Sequence, residues 1–331
     1  MREFEPNRPV IGITMGDAAG IGPEIVLKSL MDAEIRSSYR CVIIGDGRHL
    51  RELAELRKMS LNLTDFGEEE RDAVEIFDLA NLSEVVDMGR DQALTGKASA
   101  EYIEAGVNLW SEGRIDAIST APISKKAIAL GGYNYPGHTE FLAELTSTEK
   151  FAMSFFADKL RVVLLTTHIS LSHAIDRVTT EALIYRITFA DKTIGELLGR
   201  RIKIAVAGLN PHASEGGMFG SEEAERITPA IEHCRRLGID VSGPYAPDTI
   251  FLRGYKGDFD AVIALYHDQA TIAVKSLSFG SGVNVTLGLP LIRTSVDHGT
   301  AYDIAGSWAA DESSMQAAIC LAGELASRKY S

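Results

Sequence analysis

The sequence predicts an α/β fold divided between two domains, and three observations carry that expectation. Short β-branched runs alternate with stretches of helical periodicity along the chain, the pattern of a parallel or mixed sheet with helices on both faces. At 331 residues the chain exceeds what one simple core organises. Several apolar runs also end in polar loops bracketed by glycine, and open α/β sheets bind ligands at such carboxyl ends of strands. No linker or repeat interrupts the chain, so the division is expected to be discontinuous, with residues 1–137 and 299–331 forming one domain and 138–298 the other.

Strands are expected over "VIGITM" (10–15), "CVIIG" (41–45), "AVEIFDL" (73–79), "DAISTA" (116–121), "FAMSFFA" (151–157), "RVVLLTT" (161–167), "KIAVAG" (203–208), "AVIALY" (261–266) and "VNVTLG" (283–288). Helices are expected over 22–35, 47–57, 95–112, 138–146, 178–199, 221–236 and 312–328, the last with apolar residues at helical spacing behind a serine cap. "GDAAGIGPE" (16–24) joins the first strand to the first helix. A glycine-rich turn there suits an anion, but the spacing is neither GxGxxG nor a Walker loop, and Asp17 and Glu24 repel phosphate. A tight turn with Pro23 opening the helix is the equal alternative, and a Rossmann fingerprint is absent.

Composition excludes some classes. A net charge of −13 with no run of Lys and Arg argues against nucleic acid as a partner. Hydrophobic content of 45% with 24% charged residues is ordinary for a soluble protein. Cys41, Cys234 and Cys320 are scattered, and Cys41 and Cys320 sit in apolar runs as small buried hydrophobes. No apolar segment suits a signal peptide or a membrane span. A cytoplasmic setting is expected.

Three histidines hold the same topological position. His168 follows "VVLLTT", His212 follows "IAVAGLNP" and His267 follows "AVIALY", so each stands at the carboxyl end of an expected strand. Converging imidazoles suit Zn²⁺ or a similar divalent ion that polarises a substrate oxygen, with Asp268 and Glu215 placed to orient them. "YPGHTEF" sets His138 and Thr139 at a helix start, where both donate to an anion. Lys275, Asn284 and Arg293 extend this set. Arg293 closes an apolar segment, so a bound anion or an internal carboxylate should face it. "SVDHGTAYDIAG" (295–306) carries His298, Gly299 and Asp303. That mix suits the adenosine of a nucleotide, with Asp303 accepting from ribose hydroxyls and favouring NAD over NADP.

Together "GDAAGIGPE", "YPGHTEF", "TTHISL", "GLNPHASEGG", "YHDQ" and "GVNVTLGLPLIRTSVDHGTAYDIAG" resemble the 4-hydroxythreonine-4-phosphate dehydrogenase family over nearly the whole chain. The first loop and last block are also similar to the isocitrate and isopropylmalate dehydrogenases. That resemblance implies their two-domain α/β fold, with the active site in the interdomain cleft and NAD bound without a Rossmann motif. It implies His168, His212 and His267 as ligands of a divalent ion (Zn²⁺, or Mg²⁺, Mn²⁺ or Co²⁺), at a site shared across a homodimer with His267 from the partner. It implies His138, Thr139, Lys275, Asn284 and Arg293 as substrate-binding, Lys275 and Asp268 as catalytic, and Asp303, His298 and Gly299 as cofactor-binding.

The implied reaction is oxidation and decarboxylation of a small phosphorylated hydroxy acid, first of all 4-hydroxy-L-threonine 4-phosphate. The alternative is 4-phospho-D-threonate or 4-phospho-D-erythronate, giving dihydroxyacetone phosphate, and a further branch takes an aromatic dihydrodiol carboxylate. Four departures from the family pattern bear on that choice: Ala18, Ser214, Ala270 and the replacement, within "MFG", of a histidine often found after the "NPHASEGG" motif. A non-redox metal-dependent hydrolase or lyase is the rival from another class, as is a binding module without activity.

Overall fold

A computed structural model describes residues 8–68, 70–278 and 281–328. Its strands are β1 (Val10–Thr14), β2 (Arg40–Gly45), β3 (Leu63–Asp65), β4 (Val74–Asp78), β5 (Ala117–Thr120), β6 (Ala152–Ala157), β7 (Leu160–Leu164), β8 (Ile204–Ala207), β9 (Val241–Tyr245), β10 (Ala261–Ala264), β11 (Val283–Leu287) and β12 (Ile292–Ser295). They fall into two compact units, one up to Phe151 and again from Leu289, the other Ala152–Gly288. The crossings lie at 151/152 and 288/289 rather than at 137/138 and 298/299. The helix His138–Leu145 packs on the helix Ala93–Ser111, and β12 pairs with β5, so His138, Thr139 and Arg293 belong to the first unit.

In the first unit the strand order is β3-β4-β2-β1-β5-β12, and every neighbouring pair is parallel. Strands covered on both faces read as unbroken apolar runs, and Ile11, Ile13, Val42, Ile43 and Ile44 are all fully buried. β12 escapes sequence reading because it reads "IRTS". It is buried nonetheless, since each polar group finds a partner: Arg293 Nη2 donates to Thr120 Oγ1 (2.9 Å), Thr294 Oγ1 to Ala318 O (2.8 Å) and Ser295 Oγ to Thr120 O (3.3 Å).

The helix Ala93–Ser111 crosses the short helix Lys125–Leu130 at Gly96, where a Cβ would lie 1.8 Å from Ala127 O. Backbone, not a yielding side chain, fills that space. Gly96→Ala is therefore expected to destabilise the protein by about 3 kcal/mol or more, read as a fall in the urea midpoint at unchanged slope.

The second unit is mixed, in the order β11-β6-β7-β10-β8-β9. β11 to β6 and β6 to β7 are antiparallel, whereas β7 to β10, β10 to β8 and β8 to β9 are parallel. Phe155, Leu160, Val162, Leu164, Phe251 and Val262 form its core. β9 contains Gly243 and Pro244 and is an edge strand, the position where proline is tolerated.

Local differences have local causes. The first helix stops at Ser29, and a new one, Ala33–Ser38, starts where Asp32 accepts from Glu34 N. The last helix begins at Ser313 behind Glu312, with no side-chain cap. Cys320 is exposed rather than buried. No helix among the described residues is long and apolar enough to cross a membrane.

Candidate active site

A buried arginine and an imidazole with a buried Nε2 stand out in the first unit. Arg293 is 2% exposed on β12, and burial depresses its guanidinium to a pKa of about 9, against the smaller opposing influence of Glu140. His138 opens its helix, and its Nε2 is buried with no hydrogen-bond partner among the described residues. Burial, then the nearby Arg293 charge, holds that imidazole well below its ordinary pKa, so it is neutral at pH 7. A neutral imidazole beside a buried cation is a hydrogen-bonding position for an anion or a hydroxyl. Buried polar atoms almost always find a partner in a folded protein, so an orphan beside a buried cation points to a ligand. Thr139 follows on the same helix, one residue from Glu140.

The two glycine-bearing loops of this unit form one wall. Ile21 N donates to Thr300 O (3.0 Å), and a Cβ on Gly20 would lie 2.9 Å from that oxygen. Tyr302 OH donates to Asp17 Oδ2 (2.7 Å) and Ala19 N to Asp17 Oδ1 (2.9 Å). Asp17 is buried, and burial raises its pKa above the usual carboxylate value despite these bonds. The turn reading of "GDAAGIGPE" therefore describes the loop best: its aspartate serves the packing. On the wall's rim Asp303 and Gly299 are exposed, and His298 keeps a buried Nε2 with no hydrogen-bond partner among the described residues. An exposed carboxylate and an imidazole donor are chemically suited to ribose hydroxyls and a base.

The second unit carries the histidines. The exits of β7 and β10 are tied by Leu165 N to Ala264 O (2.8 Å) and Thr166 Oγ1 to Leu265 O (2.8 Å). His267 opens the helix His267–Ser278 directly after β10. The rings of His168 and His267 are 5.5 Å apart, centre to centre. Two imidazoles on one tetrahedral ion at Zn–N distances of about 2.0–2.1 Å hold their centres roughly 5 Å apart, so this pair fits a shared divalent ion. Asp268 Oδ1 stands 2.7 Å from His267 Nδ1, which leaves Nε2 for the ion.

His212 does not join them. It sits on the turn Pro211–Gly217 after β8, its ring 6.3 Å from that of Phe219, and no group of three metal-binding side chains exists among the described residues. The resemblance implies His267 from a second subunit; within one chain the rings of His267 and His168 lie side by side. Glu215 is exposed, and the carboxylate that grips the root of this loop is Glu223.

Gln269 also escaped the sequence reading: its Oε1 accepts from Leu265 N (2.7 Å) and its Nε2 donates to Gly208 O (2.9 Å), bracing the exits of β10 and β8. Its place in "YHDQ" was the available signal. Lys275 is exposed on the His267 helix, and Asn284 on β11 keeps a buried Oδ1 with no hydrogen-bond partner among the described residues. Ala18, Ser214 and Ala270 are all buried.

Comparison with known proteins agrees with this chemistry. The family model described as pyridoxal phosphate biosynthetic protein PdxA matches residues 37–322. A D-threonate 4-phosphate dehydrogenase of Cupriavidus necator is 46% identical, over 97% of this chain and 98% of that protein. A 4-hydroxythreonine-4-phosphate dehydrogenase of Desulforapulum autotrophicum is 46% identical, over 96% and 95%. The crystal structure of 4-hydroxythreonine-4-phosphate dehydrogenase from Klebsiella pneumoniae superposes with a TM-score of 0.89 at 40% identity, covering 98% of this chain and 99% of that one. The protein is thus a dehydrogenase, and the chain belongs to the PdxA family.

Proposed function

We propose that the protein oxidises and decarboxylates 4-hydroxy-L-threonine 4-phosphate with NAD and a divalent metal ion. The pair of imidazoles 5.5 Å apart, one braced by Asp268, is the observation that carries this reading. His168 and His267 hold the ion, and His212 completes the set from a second copy of the chain. When bound, the ion polarises the substrate's alcohol and carboxylate and favours both oxidation and loss of CO₂. The substrate's carbinol carbon would give its hydride to NAD and its hydroxyl would release a proton. The β-keto acid then loses CO₂ to leave 3-amino-2-oxopropyl phosphate. Arg293, His138 and Thr139 bind the substrate's anionic and hydroxyl groups, with Lys275 and Asn284 as further donors, and Asp303, His298 and Gly299 take the adenosine of NAD.

A homodimer is part of the proposal. Ile169 and Leu171 follow His168, Met218 and Phe219 follow His212, and Leu252 and Ile272 lie on neighbouring helices of the same unit, all with exposed apolar side chains. Apolar exposure beside each histidine marks a surface meant to be covered, and a second copy also supplies the missing imidazole.

A second reading, D-threonate 4-phosphate as substrate, is favoured by the relative of that name at 46% identity over 97% of the chain. The test is NADH formation, followed by its near-ultraviolet absorbance, with Zn²⁺, Mg²⁺, Mn²⁺ or Co²⁺ supplied in turn. The amino substrate is expected to turn over fastest. Preference for 4-phospho-D-threonate or 4-phospho-D-erythronate would move the enzyme to sugar-acid breakdown. Silence on all three would overturn the phosphorylated-substrate reading.

A further inference from the structure

The turn that carries His212 is left-handed, and four successive residues of it are not glycine. His212, Ala213, Ser214 and Glu215 have φ of 53°, 52°, 66° and 46°, and Gly216 follows at 68°. A residue with a Cβ is disfavoured in that region, so four in succession persist only where surrounding bonds over-determine them. The turn's own bonds include Ala213 N to Asn210 O (3.1 Å), Gly217 N to Ser214 Oγ (3.1 Å), Phe219 N to Ser214 O (3.2 Å) and Met218 N to the same Ser214 oxygen.

The stronger hold is at the root. Glu223 is 3% exposed. Its Oε1 accepts from Leu209 N (2.8 Å) and Asn210 N (2.7 Å), and its Oε2 from Asn210 Nδ2 (2.9 Å). The Asn210 amide also donates to Glu222 Oε2 (2.7 Å). Gly208 lets this carboxylate come close, since a Cβ there would lie 3.0 Å from Ala213 Cα and 3.3 Å from Glu223 Oε1. Glu223 itself opens a π-helical turn, Glu223–Ile227, a local widening often found where a helix serves a functional site.

We infer that Glu223 is a positioning residue for His212: it fixes the two peptide groups leaving β8 and the Asn210 side chain, and so holds the left-handed turn that presents the imidazole. The inference rests on reading His212 as a metal ligand. A carboxylate is needed because three N–H donors converge on two oxygens. A glutamine would turn its own NH₂ toward at least one of them.

The test is a double-mutant cycle on Zn²⁺ affinity of the full-length protein, measured by competition with a chromogenic chelator and without any turnover. Loss of a supporting group around a metal ligand weakens binding about 10–100-fold, and that is the expected effect of Glu223→Gln. His212→Ala is expected to weaken binding at least as much, and the double variant no further, because E223Q acts only through His212. A general loosening of the unit would instead add its full factor in the H212A background. Unchanged affinity in E223Q, or full additivity, overturns the inference. Unchanged affinity in H212A overturns the reading of His212 as a ligand, a separate result. Should E223Q fail to fold, Asn210→Ala removes only the amide between Glu222 and Glu223, and it must lower affinity in the same non-additive way.

Discussion

Arg293→Met is expected to lower kcat/KM for the phosphorylated substrate roughly 100-fold, since hydrogen bonds to a charged group contribute about 1.5–3 kcal/mol and each decade of rate corresponds to about 1.4 kcal/mol. Uniform loss of binding would appear in KM with kcat preserved. A pH signature accompanies it. The guanidinium is depressed to about 9 by burial, so its charge is fully present below that pH and lost as pH rises through it. An anion bound beside it restores the charge. The wild-type profile of kcat/KM, which reports the free enzyme, should therefore fall above pH about 9, while kcat holds further into alkali. In the methionine variant that alkaline limb should vanish. A variant that keeps wild-type KM would show that Arg293 does not touch substrate.

His267→Ala is expected to remove the bound divalent ion and, with it, turnover. The loss should exceed the roughly 10–100-fold weakening typical when a supporting carboxylate such as Asp268 is removed, because a ligand rather than its orienting partner is deleted. The side chain is only half-buried at the start of its helix, so circular dichroism and the unfolding midpoint should stay near wild type. Elemental analysis of protein stripped with chelator and reloaded gives the metal ratio directly. Full occupancy in this variant would remove His267 from the ligand set.

The strands that sequence reading found are those whose apolar run is unbroken, such as β2 and β10, because parallel strands covered on both faces admit little else. β12 was missed for the opposite reason: Arg293, Thr294 and Ser295 look like loop, and only the partners supplied by β5 and the last helix make them buriable. In the site, position along strands nominated His168, His212 and His267 correctly as strand-end residues, but it could not say which would meet. That depends on the left-handed turn after β8, a conformation that "HASE" gives no reason to expect. Glu223 was invisible for a related cause. Fourteen residues separate it from Leu209, and nothing in "SEEAERI" distinguishes a buried acceptor from a solvated acidic helix face.

The discontinuous first unit has a consequence for how the protein is made. Its sheet needs β12 beside β5 and the helix Ser313–Ser327 against both, and those segments leave the ribosome after the whole of the second unit. The second unit, Ala152–Gly288, is contiguous and can complete itself earlier. At about 5–20 residues per second, the first 151 residues wait on the order of ten to forty seconds with β5 as an open, apolar edge. The nascent chain is therefore most exposed to mispairing while its second half is being translated, and an amino-terminal fragment ending near Phe151 would carry that open edge permanently.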